Sequence, residues 1–254
     1  MASPPAESIC IIPCRLRSSR LPRKVLLPGP DGRAMIEHVY SNAEKADFDR
    51  VLIAAEDDEM GNNCPRRAAV FITGGAECGT ERAQMLFDMG ILAAIGCTNV
   101  RSVCVLQADE PELPTSAIRA LKDRINVHAG VEGAPQIVTL AQHADDFQFD
   151  SDVMCIPDGS GGWTFKRYQG FQDEELSVLR HIGAYAFTPD SLRKATELSH
   201  PFNPEAVCGL EQMEWVRAVM PIDVKVLFEK QHGRIPGGIN TPDDYYRWLD
   251  GDVK

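Results

Sequence analysis

Short apolar runs alternate with stretches of helical spacing along the first part of the chain. Runs rich in β-branched residues predict strands, and apolar residues three or four positions apart predict helices. The predicted strands are Ile9–Ile12, Arg50–Ala54, Ala69–Ile72, Val103–Gln107 and Ile137–Ala141. The predicted helices are Met35–Lys45, Glu81–Ala94 and a segment capped by Thr115 or Ser116 that ends near Arg124. This alternation predicts an α/β fold with a mostly parallel sheet and right-handed crossovers.

The pattern changes from about residue 143. Short antiparallel strands are predicted at Val153–Ile156, Trp163–Lys166 and Gly183–Phe187, with a turn at Asp158–Gly162. They are followed by a helix at Gly209–Val219, a strand at Val224–Phe228 and a helix at Thr241–Leu249. The start of the last helix is well marked, because Thr241 precedes Pro242 and two acids. We expect one domain, 1–254, with a core at 1–142 and a smaller antiparallel part at 143–254.

Bulk properties exclude several classes of protein. The 254 residues carry a formal net charge of -11, which argues against a nucleic-acid binder. No apolar run approaches the roughly 20 residues that span a bilayer. The first residues, MASPPAES, lack the basic and apolar regions of a signal peptide, so a cytoplasmic location is expected. The eight cysteines form no C-x-x-C pair and are interpreted as structural.

A cluster of cations follows the first predicted strand. It contains Arg15, Arg17, Arg20, Arg23 and Lys24, in a chain that is otherwise acidic. Such charges repel one another unless an anion lies among them, and a polyphosphate suits Arg and Lys. Lys24 and Arg20 are the best candidates, followed by Arg15, whereas Arg17 and Arg23 could face solvent. The alternative is a solvated basic patch or a targeting signal.

A carboxylate follows the fourth predicted strand, in the segment Gln107-Ala108-Asp109-Glu110-Pro111. Mg²⁺ bound to nucleotide phosphates needs one or two protein carboxylates, and Asp109 is the predicted ligand. Glu110 could assist or could be a surface acid. Gln107 could hydrogen-bond the edge of a base.

A third candidate element is the segment Cys78-Gly79-Thr80-Glu81-Arg82. Gly79 permits a tight turn, and Thr80 is a suitable cap for the following helix. The helix N-terminus and Arg82 would then lie near the nucleotide. The alternative is a plain junction between a loop and a helix.

Together these motifs resemble the CMP-Kdo synthetases, the 3-deoxy-manno-octulosonate cytidylyltransferases. The resemblance extends, in the same order, through Leu179–Tyr185, Leu210–Gln212 and Pro236–Asp244, and so covers most of the chain. It implies a Rossmann-like nucleotidyltransferase sheet with three layers and a smaller antiparallel region for the acceptor and for dimerisation. It also implies a cytidylyltransferase that joins CMP from CTP to an acid, releases pyrophosphate and uses Mg²⁺.

The resemblance also implies residue roles. Arg20, Lys24 and Asp109 would be catalytic. The nucleotide would contact Arg15, Ser18, Gly79, Thr80, Arg82 and Gln107. The metal would be held by Asp109 and Asn240. The acceptor would contact Arg167, Arg180, His181, Tyr185 and Gln212. The second half would form a homodimer contact.

Several positions depart from the family. Asn240 replaces an Asp that ligates metal, Met154 replaces a Lys, and Cys208 replaces a Glu. The segment between Arg167 and Arg180 is also shorter than in the family. Fewer polar groups weaken the selection of a polyol, and the shorter segment favours an acceptor smaller than Kdo. Because one branch of the superfamily that the chain resembles uses phosphonoformate, the resemblance implies that small charged acid as the favoured acceptor.

Three alternatives to a phosphonoformate enzyme stay open. The acceptor could be Kdo itself, for lipopolysaccharide. The chain could be a non-catalytic relative that binds CTP, or a nucleotidyltransferase of related fold that acts on a sugar phosphate.

Overall fold

A computed structural model describes residues 5–144, 147, 152–169, 178–198 and 210–251. The strands in these ranges are β1 Glu7–Cys14, β2 Arg50–Ala55, β3 Ala69–Ile72, β4 Val100–Leu106, β5 Ile137–Gln142, β6 Val153–Pro157, β7 Trp163–Arg167, β8 Leu179–Phe187 and β9 Ile222–Leu227. The helices are α1 Met35–Glu44, α2 Asp58–Asn62, α3 Gly79–Asp88, α4 Ile91–Ala94, α5 Thr115–His128, α6 Pro189–Leu198, α7 Glu211–Arg217, α8 Glu229–His232 and α9 Pro242–Asp250.

The strands form a mixed sheet in the order β3-β2-β1-β4-β8-β5-β9. β1 pairs in parallel with β2 and β4, and β5 pairs in parallel with β9. β8 runs antiparallel between β4 and β5. The predicted α/β class and mostly parallel sheet are confirmed, but the pattern along the chain contains no indication that β8 lies between β4 and β5.

Helices cover both faces of the sheet, as the three-layer prediction requires. On one face, α1 and α5 pack against the even-numbered side of β1, through side chains such as Ile36, Leu121 and Ile12. On the other face, α3, α6 and α7 bury Leu86, Leu192 and Trp215 against Ile11 and its neighbours. Strand residues alternate between the two faces because successive side chains point to opposite sides.

The predicted antiparallel region is a hairpin of β6 and β7. The two strands pair from Val153↔Arg167 to Pro157↔Trp163, and β6 joins the main sheet where Met154 pairs with Arg180. The Asp158 carboxylate closes the turn by accepting hydrogen bonds from the backbone N–H groups of Ser160 and Gly162.

Several predicted helix boundaries are wrong. The predicted helix 81–94 is two helices, because Gly90 adopts a left-handed φ of 68° between α3 and α4. Thr115 is inside α5 and does not cap it, since its hydroxyl donates to the Asn42 carbonyl. The helix predicted at Gly209–Val219 spans Glu211–Arg217, and α6 was not predicted. The start of α9 is confirmed: Thr241 and Asp244 form a capping box.

Among the described residues, no helix has the length and apolarity needed to cross a membrane.

Candidate functional site

A cleft of about 280 Å³ opens at the carboxyl ends of β1 and β4. These strands are parallel neighbours, so the loops that follow them meet at one edge of the sheet. The cleft brings together nine of the predicted site residues: Arg15, Ser18, Arg20, Lys24, Gly79, Arg82, Gln107, Asp109 and Asn240. The convergence of these residues from distant parts of the chain makes the cleft the candidate active site.

Lys24 lies at the centre of this site. Its Nζ is 2.5 Å from Asp109 Oδ2 and 3.0 Å from Asn240 Oδ1. Arg20 Nη2 also donates to Asn240 Oδ1, at 3.0 Å. The Lys24 side chain is 13% exposed and that of Asp109 23%, so the ion pair is partly shielded from water. The side-chain oxygens of Asp109 and Asn240, which are far apart in sequence, therefore both contact the Lys24 ammonium group.

The orientation of the Asn240 amide is fixed by its own loop. Its Nδ2 donates to the Gly238 carbonyl at 3.0 Å, which leaves the oxygen facing Lys24 and Arg20. The backbone N–H of Ile239 donates to the Asp109 carbonyl at 2.8 Å. The loop before α9 is thus tied directly to the segment that carries Asp109.

The remaining cations of the loop after β1 divide into two groups. Arg15 and Arg17 line the cleft, and neither has a hydrogen bond or ion pair with another described residue. Arg23 instead pairs with Glu59 at 2.5 Å, outside the cleft. Arg15 and Arg17 are therefore available to an anion, whereas Arg23 has a structural partner.

Arg82, Gln107 and Gly79 form the other end of the cleft. Arg82 is 2% exposed, and its Nη1 donates to Thr73 Oγ1 at 2.7 Å and to the Gly74 carbonyl at 2.6 Å. Its Nη2 has no hydrogen-bond partner in the described structure and is 4.0 Å from Glu56 Oε1. A buried donor without a partner is costly, so this atom is suited to a ligand carbonyl.

Gly79 controls the position of the Gln107 amide. A Cβ atom at this position would lie 3.2 Å from Gln107 Nε2 and 3.1 Å from Pro13 Cγ. We expect Gly79→Ala to displace Gln107 and to weaken CTP binding by about tenfold, the loss of roughly one hydrogen bond. Isothermal titration calorimetry measures this, with Gly75→Ala as the control because a Cβ there has no neighbour within 4 Å. Unchanged affinity in Gly79→Ala would contradict the role of Gln107.

His181 and Tyr185, predicted on the acceptor side, are buried in an aromatic cluster. The ring of Tyr185 is 5.2 Å from that of Trp215, and the ring of His181 is 5.3 Å from that of Phe165. Thr139 Oγ1 donates to the Ala184 carbonyl and lies 2.8 Å from His181 Nε2, so it accepts from that nitrogen. Burial lowers the pKa of His181 to about 3, and the imidazole is neutral near pH 7.

The remaining predicted contacts also lie away from the cleft lining. Arg180 Nε donates to Asp152 Oδ2 at 3.0 Å in a buried ion pair. Arg167 ends β7, and Gln212 is 3% exposed in α7. Thr80 is buried and donates to Glu211 Oε1 at 3.0 Å, which differs from its predicted place at the nucleotide. The acceptor roles of Arg167, Arg180, His181, Tyr185 and Gln212 stay predictions.

Two acids contact residues of β8: Asp152, for which the sequence predicts no role, and Glu110, which it leaves as either a helper or a surface acid. Asp152, the partner of Arg180, precedes β6 without any motif around it. Glu110 is ambiguous in the sequence, and in the structure its Oε1 accepts a hydrogen bond from the Gly183 backbone at 2.8 Å. Burial, and after it the neighbouring Asp109 carboxylate, raise the pKa of Glu110 to about 8. The segment Asp109-Glu110-Pro111 thus carries two carboxyl groups in different environments.

A mostly parallel sheet whose strand ends hold a cationic cleft opposite a carboxylate is typical of an α/β enzyme that acts on a nucleoside polyphosphate. The family model described as "Cytidylyltransferase" matches residues 9–150. The chain therefore belongs to the cytidylyltransferase family, in its CMP-Kdo synthetase branch, and is a CTP-dependent nucleotidyltransferase.

Full-length relatives support this membership. The 3-deoxy-manno-octulosonate cytidylyltransferase of Xanthomonas euvesicatoria pv. vesicatoria (strain 85-10) is 32% identical, over 96% of this chain and 95% of the relative. The enzyme of the same name from Vibrio cholerae serotype O1 (strain M66-2) is 31% identical, over 92% of this chain and 93% of its own.

Solved structures share the fold. A CMP:2-keto-3-deoxy-manno-octonic acid synthetase complexed with CTP superposes with a TM-score of 0.76 at 24% identity, covering 96% of this chain and 98% of its own. The 4-diphosphocytidyl-2C-methyl-D-erythritol synthase of Anaerococcus prevotii DSM 20548 gives a TM-score of 0.60 at 11% identity, covering 98% and 99%.

Proposed function

We propose that this enzyme transfers CMP from CTP to phosphonoformate, a small acidic acceptor, giving CMP-5'-phosphonoformate for phosphonate antibiotic biosynthesis. An acceptor oxygen attacks the α-phosphorus of CTP, the bond from that phosphorus to the bridging oxygen breaks, and pyrophosphate leaves. The observation that carries the transfer of CMP is the contact of Lys24 with both Asp109 and Asn240, because it places a cation and two oxygen ligands at one point of the cleft.

The cations of the cleft have complementary roles in this reaction. Arg15, Arg17 and Ser18 would bind the outer phosphates, while Arg20 and Lys24 stabilise charge that develops on the leaving pyrophosphate. The unpartnered Nη2 of Arg82 and the amide of Gln107 would hydrogen-bond the polar edge of cytosine. Nucleotide selection then depends on residues before 142, and acceptor selection on residues 143–254, which we also propose to contain the homodimer contact.

The side-chain oxygens of Asp109 and Asn240 are suitable ligands for a divalent cation that is also bound by phosphate oxygens. The described residues contain no group of three or more His, Cys, Asp or Glu side chains that could hold a metal unaided. Asp109 Oδ2 and Asn240 Oδ1 converge on the Lys24 Nζ, and hard oxygen ligands of this kind suit Mg²⁺. When bound there with CTP, Mg²⁺ would supply neutralisation of phosphate charge.

The preference for a small anion depends on the departures from the family. Asn240 contributes no charge where a carboxylate is expected, so the cleft is less repulsive toward an acceptor with several negative charges. Met154 is 8% exposed, and it lies opposite Arg180 where β6 and β8 pair. An apolar side chain therefore lies beside the buried ion pair between Arg180 and Asp152. Cys208 and residues 170–177 of the shortened segment between Arg167 and Arg180 lie outside the described residues.

A panel of acceptors tests this proposal. The enzyme is incubated with CTP, Mg²⁺ and either phosphonoformate, Kdo or sialic-type acids, and CMP conjugates are identified by mass. We expect a conjugate with phosphonoformate. A conjugate with Kdo alone would establish the second candidate, CMP-Kdo synthesis, which the names of the relatives favour.

Two further functions are distinguished from acid cytidylylation, the first by the same assay and the second by a comparison of CTP with UTP, GTP and ATP. A non-catalytic relative, suggested by Asn240, would bind CTP tightly and yield no pyrophosphate with any acid. A sugar-phosphate nucleotidyltransferase would show itself by using UTP, GTP or ATP in place of CTP.

Asn240→Asp tests whether the amide is matched to an anionic acceptor. The new carboxylate would repel such an acceptor, and we expect turnover to fall by about tenfold, equivalent to roughly 1.4 kcal/mol. Steady-state kinetics with the best acceptor measures this. Asn62→Asp, at an exposed position outside the cleft, controls for the change in net charge. A large increase in rate in Asn240→Asp would refute the idea.

A further inference from the structure

Glu110 lies where three segments of the proposed site meet. It follows Asp109, its Oε1 accepts the Gly183 N–H at 2.8 Å, and the loop before α9 packs on its stem. A Cβ at Gly238 would lie 3.4 Å from Glu110 Cγ and 3.5 Å from the Asp109 carbonyl oxygen. One carboxyl-bearing side chain therefore touches the strand β8 and the loop that carries Asn240.

The Gly183 N–H is at an irregular point of β8. The pairing of β8 with β4 reaches Leu106↔Ala184, so Gly183 lies just beyond the end of β4. The pairing with β5 shifts at the same place, from Thr139↔Tyr185 to Leu140↔Ile182. The Glu110 carboxyl group thus accepts a hydrogen bond from the Gly183 N–H, which lies beyond the last residue of β4 that pairs with β8.

The approach of Glu110 to Gly183 requires a glycine. A Cβ at Gly183 would lie 2.5 Å from Glu110 Oε1, well inside van der Waals contact. Glu110 and Gly183 are therefore in close contact. Glu110 follows Asp109 in the chain, and Gly183 lies in β8, the strand that carries Arg180 and His181.

We propose that Glu110 is a positioning residue, which holds β8 and the loop 236–240 in register with Asp109 so that acceptor and α-phosphate meet. This inference rests on the proposed function, because it assumes that β8 contributes to the acceptor side. Glu110 does not need to touch the substrate for this role. It acts through the main chain of Gly183 and through the placement of Asn240.

Three variants test the contact from both sides. Glu110→Ala removes the acceptor of the Gly183 N–H, and Gly183→Ala displaces the carboxyl group without altering Glu110. Glu110→Gln keeps an oxygen that accepts the hydrogen bond. We expect the first two to lose turnover by about 10- to 100-fold, since small displacements at a reacting centre have such effects. Glu110→Gln should retain most of the activity.

The readouts separate positioning from general stability. CTP affinity, measured by calorimetry, should stay within about twofold of wild type, because Lys24, Arg82 and Gln107 are unchanged. The Glu110→Ala/Gly183→Ala double variant should be no worse than either single variant, since both break one contact. Amide exchange at Gly183 should be faster in Glu110→Ala and unchanged in Glu110→Gln.

The proposal is overturned if CTP affinity and the melting temperature fall in parallel with turnover, or if Gly183→Ala is fully active. Gly75→Ala, in open space, controls for the added methyl group. Should Gly183→Ala not fold, the comparison of Glu110→Ala with Glu110→Gln decides the question. If the wild-type enzyme uses no acid at all, the proposed function fails, while Gly183 exchange still tests the Glu110 contact.

Discussion

Lys24→Met should reduce kcat/KM with CTP by about 10²- to 10³-fold, the loss expected for one preorganised charged donor in a shielded site. The cause is electrostatic: the side chain of Lys24 is 13% exposed, and its ammonium group contacts both Asp109 and Asn240 and would face the phosphates in the proposed site. Its removal also leaves the Asp109 carboxylate without its partner in a partly buried position. Continuous measurement of pyrophosphate release gives the rate.

The matched control for Lys24→Met is Arg23→Gln. Arg23 is the preceding residue in the chain and carries the same charge, but it pairs with Glu59 outside the cleft. We expect activity within about twofold of wild type, as for an exposed ion pair. Equal losses in the two variants would mean that the charge of the loop matters in general and that Lys24 has no special role.

Asp109→Asn should have an effect of similar size, with a different signature. The amide keeps the shape and a hydrogen-bonding oxygen but lacks the charge that attracts a divalent cation. We expect kcat to fall by about 10²-fold or more and the Mg²⁺ concentration for half-maximal activity to rise, since this carboxylate is the charged protein ligand of the proposed metal site. Titration of activity with Mg²⁺ at saturating CTP measures both quantities.

Glu112→Gln is a suitable control for Asp109→Asn, because Glu112 follows the same strand and does not line the cleft. A normal Mg²⁺ dependence in Asp109→Asn, at any level of activity, would contradict the metal assignment. CTP binding in the presence of EDTA should be little changed, so that a loss of nucleotide affinity is distinguishable from a loss of metal.

The parallel part of the fold follows from local pattern. Strands such as β1 and β2 are continuous apolar runs bounded by polar segments, and burial on both faces is what such runs indicate. The start of α9 is equally local, because Thr241, Pro242 and Asp244 lie within one turn. Helix ends that depend on tertiary contacts are less predictable. The hydroxyl of Thr115 donates to Asn42, which is far away in sequence.

The chemistry of the nucleotide cleft is also predictable from the sequence, while its contacts are not. Lys24 and Asp109 are a cation after one strand and a carboxylate after another, and parallel strands bring their carboxyl ends together. The distance between Lys24 and Asn240 depends on a loop further along the chain, at a sequence separation of 216. A local pattern does not encode such a contact, and the family resemblance implied only that Asn240 would share a metal with Asp109.

The proposed acceptor side is the least predictable region. His181 and Tyr185 are polar candidates within a motif, but their strand is central, and central strands bury both faces. No periodicity along β8 reveals that it enters between β4 and β5. The fitted pair of Glu110 and Gly183 depends on that same placement, which explains why Glu110 is ambiguous from the sequence alone.

The placement of β8 also has a consequence for how this protein is made. β5 is hydrogen-bonded to β8 and β9, which follow it in the chain, and it does not pair with β4. During synthesis, β5 therefore emerges from the ribosome before either of its neighbours exists. A fragment that stops at residue 142 would expose one bare edge of β4 and both edges of β5, and we expect it to aggregate or be degraded until β8 and β9 are present to pair with them.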